Sequence, residues 1–87
     1  MKIKENFLLR KVADTWVVMS LYDDTVDFNG MLSLNESGVM LWKVLEQGGD
    51  KQALVKALTD SYDVTEQQAA NDVDEFLNVL AGAGCLE

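Results

Sequence analysis

The chain has no histidine, no proline, a single cysteine and no basic residue beyond Lys56. Without histidine there is no imidazole base, shuttle or ligand, and neither a Ser-His-Asp nor a Cys-His constellation can be assembled. One cysteine, Cys85, excludes an internal disulfide and a cysteine metal cluster. Its place beside Leu86 suits a small buried apolar side chain. A glycine-rich phosphate loop is also missing: Gly48-Gly49 lacks the Lys-Ser or Lys-Thr that such loops need. No apolar run is long enough to span a membrane, and nothing signal-like follows the opening Met1–Asn6. These absences predict a cytoplasmic, non-catalytic chain that needs no cofactor and no metal.

What is present is one small globular unit, residues 1–87, of which 48% is hydrophobic, enough for a single core. Its net charge is −8. After Lys56 come only acids: Asp60, Asp63, Glu66, Asp72, Asp74, Glu75 and Glu87. Such a surface repels polyanions and favours a cationic partner. The stretch Tyr22 to Asp27 holds three acids but lacks the spacing and distal Glu of a calcium loop, and reads as a solvated connection.

Phe7–Val12 and Trp16–Leu21 are rich in β-branched and aromatic residues and are separated by Ala13-Asp14-Thr15, so they predict a hairpin. Phe28–Leu34 predicts a third strand, with Phe28, Gly30, Leu32 and Leu34 on one face and Asn29, Met31 and Ser33 on the other. The period then changes from two to 3.6. Asn35 is placed to cap the helix that follows, with Ser33-x-x-Glu36 as a second possible capping pair. This helix runs to about Gln47, where Gly48-Gly49 stops it. Asp50 caps a second helix, and Thr65-x-x-Gln68 opens a third, which Gly82 or Gly84 ends. The core stripe of the third helix is Ala69, Val73, Phe76, Leu77 and Leu80. The expected fold is therefore α+β and winged helix-turn-helix-like, a three-stranded antiparallel sheet followed by three helices.

A winged helix raises DNA binding, but the third helix carries no Lys or Arg to meet phosphates. Nucleic acid and membrane are thus excluded as expected partners. The sheet edge offers another surface, because an unpaired edge can accept an incoming strand while neighbouring pockets read its side chains. The third strand is short, and Asn29-Gly30 leaves its backbone approachable. On the third helix, Val79 and Ala83 extend the apolar stripe past Phe76, next to Asp72. A winged-helix transcriptional regulator or a structural interaction module is the alternative reading. The edge leaves two oligomeric states open, a monomer or a homodimer paired edge to edge.

Leu34-Asn35-Glu36-Ser37-Gly38, with Leu41-Trp42 and Leu45 after it, resembles the Leu-Asn-Glu-Thr-Gly…Ile-Trp…Leu segment of the PqqD family. Tyr62-Asp63-Val64, Asp72-Val73-x-x-Phe76-Leu77 and the ending Gly84-Cys85-Leu86 resemble its back half. The resemblance covers nearly the whole chain and rests on the order and spacing of these motifs together. It implies a recognition element for ribosomally made, modified peptides. Such an element binds the leader of a precursor peptide and presents it to a modifying enzyme, a radical SAM protein or a leader protease. It also implies that the leader adds to the third strand and lies against the third helix. By position, the strand wall would be Asn29, Gly30, Met31, Leu32 and Ser33, and the helix wall Ala69, Asp72, Phe76 and Val79. The resemblance points to a free-standing relative serving a peptide pathway other than that of the quinone. With an acidic helix wall, a leader bearing Lys or Arg near its docked segment is expected, Asp72 serving as acceptor.

Overall fold

Ala13 and Asp14 reverse the chain between β1 (Phe7–Val12) and β2 (Thr15–Ser20) in the computed structural model, which describes residues 2–5, 7–20 and 32–87. The turn is one residue tighter than the sequence suggests, since Thr15 already pairs with Val12. Ala13 has φ 56°, the positive value that primed two-residue hairpin turns need at their first central position. The strands pair antiparallel, from Phe7 opposite Ser20 to Val12 opposite Thr15.

β3 (Leu32–Leu34) pairs antiparallel with β2, Leu32 opposite Val18 and Leu34 opposite Trp16. The sheet order is β1-β2-β3, so among the described residues β3 is an edge strand. The rest of the expected third strand (Phe28 to Met31) and the acidic connection Tyr22 to Asp27 lie outside the described residues.

Three helices follow, each started by the residue type that satisfies free N–H groups. Asn35 Oδ1 accepts the Gly38 N–H at 2.9 Å and opens α1 (Glu36–Glu46), which decides between the two capping pairs. Asp50 Oδ1 accepts the Ala53 N–H at 2.9 Å and opens α2 (Lys51–Ser61). Thr65 Oγ1 accepts the Gln68 N–H at 3.1 Å and opens α3 (Glu66–Gly82). α1 stops at Gly48, whose φ of 83° suits glycine, and the Gly49 N–H donates to the Val44 carbonyl at 3.0 Å. Of the two glycines placed to end α3, Gly84 takes the left-handed conformation (φ 75°), while Gly82 is the last helical residue.

Alternation in the strands and the helical stripes converge on one core. Phe7, Leu9, Val18, Leu32 and Leu34 come from one face of the sheet, and Trp42, Leu45, Leu54, Leu58, Val73 and Leu80 from the helices. Each fully buried side chain of this size contributes about 1.5–3 kcal/mol. Trp16 ties β2 to α1 at the rim: Lys11 and Lys43 Nζ lie 5.9 and 5.4 Å from its ring centroid, within cation–π range. The two ends of the chain are joined, which the sequence does not predict. Ile3 bridges Leu86, the Lys4 N–H donates to the Cys85 carbonyl at 2.8 Å, and the Glu87 N–H donates to the Lys2 carbonyl at 3.0 Å. Cys85 is fully buried beneath this clasp.

Candidate functional site: a groove between the sheet edge and the last helix

A groove of about 640 Å³ runs between β3 and α3. Leu32, Ser33 and Leu34 form its strand wall, and Asp72, Glu75, Phe76 and Val79 its helix wall. Leu41 of α1 and Leu58 of α2, both buried, underlie it, and Tyr62 and Val64 close the side where α2 turns into α3. Asn35, Ser37 and Gly38, at the start of α1, line it too. The local sequence accounts for this arrangement. Asn35 holds the first turn of α1 against the end of β3, with Ser37 Oγ donating to the same Oδ1 at 3.0 Å. A methyl group on Gly38 would stand 3.3 Å from Leu34 Cβ and 3.2 Å from Asn35 Oδ1, so glycine permits the close approach of α1 to β3.

The helix wall follows from spacing. Asp72, Glu75, Phe76 and Val79 recur at intervals of three and four and so share one flank of α3. Val79 is 45% exposed, an uncovered apolar side chain at the groove. Phe76 is half-buried, packing on the core from one side and lining the groove from the other. Asp74 lies on a different flank, where its carboxylate pairs with Lys51 at 2.6 Å. Among the described residues neither Asp72 nor Glu75 forms an ion pair, and no Lys or Arg lines the groove.

Of the nine residues the sequence proposes for the two walls, Leu32, Ser33, Asp72, Phe76 and Val79 meet at this groove. Asn29, Gly30 and Met31 lie outside the described residues. Ala69 requires correction: it is fully buried in the core and does not line the groove. It precedes Val73 by four residues on the inward stripe of α3, so its methyl group packs inward. Sequence reasoning missed Leu34, Asn35, Ser37, Gly38, Leu41, Leu58, Tyr62, Val64 and Glu75. Glu75 was within reach, one turn from Asp72. So was Tyr62, an aromatic residue at a helix end that proves 39% exposed.

Residues 15–86 match the model of a protein family described as coenzyme PQQ synthesis protein D (PqqD). The chain belongs to the PqqD family. No curated protein matches it. Among solved structures, TbiB1 in complex with the TbiA(beta) leader peptide is similar at a TM-score of 0.81 and 28% identity, over 100% of this chain and 95% of that one. A lasso peptide synthetase B1 complexed with its leader peptide is similar at a TM-score of 0.80 over 99% of this chain and 95% of that one. At 15% identity, that second likeness concerns the fold alone. This PqqD-family fold is the expected one, three antiparallel strands followed by three helices. No helix among the described residues is long and apolar enough to cross a membrane.

Proposed function

We propose that this PqqD-family chain is a non-catalytic adaptor that binds the leader segment of a ribosomally made precursor peptide and presents it to a modifying enzyme. The leader adds as a strand to β3, so that main-chain hydrogen bonds supply affinity and alternate side chains enter the groove. Leu32 and Ser33 belong to the receiving strand, with Asn29, Gly30 and Met31 as its continuation. Phe76 and Val79 seat apolar leader side chains. The observation that carries this reading is the edge strand facing a half-apolar helix flank across an open groove, in a chain similar over its full length to a structure holding a leader peptide. The modifying enzyme is a radical SAM protein or a leader protease acting in the cytoplasm. Without a leader, the same edge admits a second copy of the chain, so monomer and edge-paired homodimer are the two forms this reading allows. A DNA-binding regulator is disfavoured by the carboxylates on the α3 flank.

Titration with a short precursor peptide encoded beside the gene tests the proposal. Amide shifts are expected at Leu32–Leu34 and along Asp72–Val79, with slowed hydrogen exchange on β3. Ser33→Pro, which removes the N–H that β3 directs to its open edge, should abolish that binding in a variant whose helices stay folded by circular dichroism. Shifts confined to Leu8, Arg10 and Met19, on the opposite face of the sheet, would overturn the assignment.

A further inference from the structure

Asp72 and Glu75 stand one turn apart on the groove flank of α3, and neither has a cationic partner among the described residues. Like charges at this spacing repel and weaken a helix slightly. Their neighbour Asp74 is turned away and paired with Lys51. The pair is continuous with apolar surface: Phe76 lies four residues beyond Asp72, and Val79 four beyond Glu75. At 1.5 Å per residue, four helical residues advance about 6 Å. An extended peptide advances about 7 Å between side chains on the same face, which are two residues apart. A strand laid along the groove can thus place one side chain beside the carboxylates while the next on that face reaches Phe76 and Val79.

We infer that the groove selects an extended peptide in which a Lys or Arg stands two residues from a bulky apolar side chain, Asp72 and Glu75 taking the cation and Phe76 and Val79 the apolar group. This inference rests on the leader-binding reading and specifies its ligand. An acidic residue at the cationic position is rejected, because its charge would face two carboxylates across a half-apolar groove. The specificity is electrostatic and therefore weakened by salt.

Display selection of random twelve-residue peptides on the intact chain tests this directly. At low ionic strength, the enriched peptides should carry Lys or Arg two residues from Leu, Ile, Val, Phe, Tyr or Trp. Replacing that cation with Gln in an enriched peptide should weaken binding about fivefold, an effect that shrinks at high salt. The surface double variant D72K/E75K should instead enrich Asp or Glu at the same position. Enriched peptides that show no basic preference, or a basic preference that survives in D72K/E75K, would overturn the inference while leaving peptide binding in the groove intact. Failure to enrich any peptide, or enrichment unaffected by Val79→Asp, would overturn the leader-binding reading as well.

Discussion

Ala13 shows how a single backbone angle is imposed by its surroundings. The register from Phe7–Ser20 to Val12–Thr15 leaves two residues for the turn, so Ala13 is forced to φ 56° although alanine disfavours that region. Glycine adopts it without steric cost but loses more freedom on folding. The strain relieved exceeds the entropy lost, so Ala13→Gly should stabilise the protein by about 0.5–1 kcal/mol. An upward shift in the denaturation midpoint at constant slope would register it. No comparable relief exists at Gly49, where an added methyl would meet Val44 Cγ1 at 2.5 Å.

Among the elements, the helices were the most legible in the sequence, because their starts are local chemistry. Asn35, Asp50 and Thr65 each accept an N–H three residues on, and the helices begin where those side chains predict. The strands were readable as an alternation of faces. What the sequence does not display is where separate elements converge. Leu41 and Leu58 underlie the groove because α1 and α2 pack beneath β3 and α3, and no local pattern marks them apart from other core leucines. Ala69 was misassigned for the same reason: on the helical wheel it neighbours Asp72, yet packing turns it inward. The exposed flank of α3 carries its own prediction. Val79→Asp should cost about 1 kcal/mol of stability, since the side chain is already half exposed and the new acid stands one turn from Glu75 in the last turn of α3. It should weaken binding of the precursor leader at least tenfold, by placing a charge where an apolar side chain is seated. Calorimetric titration beside a thermal melt separates the two effects, and a variant found unfolded in the melt would argue for a purely structural Val79.

At the scale of the whole molecule, the clasp between the chain ends covers Cys85 and sets a pH response. Burial pushes the Cys85 thiol up to about 11 from 9.0, the nearby Lys4 drawing it only partly back. The folded state thus holds the proton while the unfolded chain releases it. The stability this contributes is complete below about pH 9 and is lost as the pH rises towards 11. The loss is on the order of 2 kcal/mol. Urea denaturation across that interval should show a steeper decline for the native chain than for Cys85→Ala, and parallel declines would refute the assignment.

The hydrogen bonds that bring Lys2 beside Glu87 have a topological corollary. Lys2 and Glu87 are near neighbours in space, so a linker of a few glycines between the two ends could close the chain into a ring. That ring could be reopened in the hairpin turn at Ala13-Asp14, giving a circular permutant with the same strands and helices. In such a rearranged chain the groove between β3 and α3 would be assembled from the same residues in the same order. Its construction is thus the same whether the polypeptide is opened at its natural ends or at this turn.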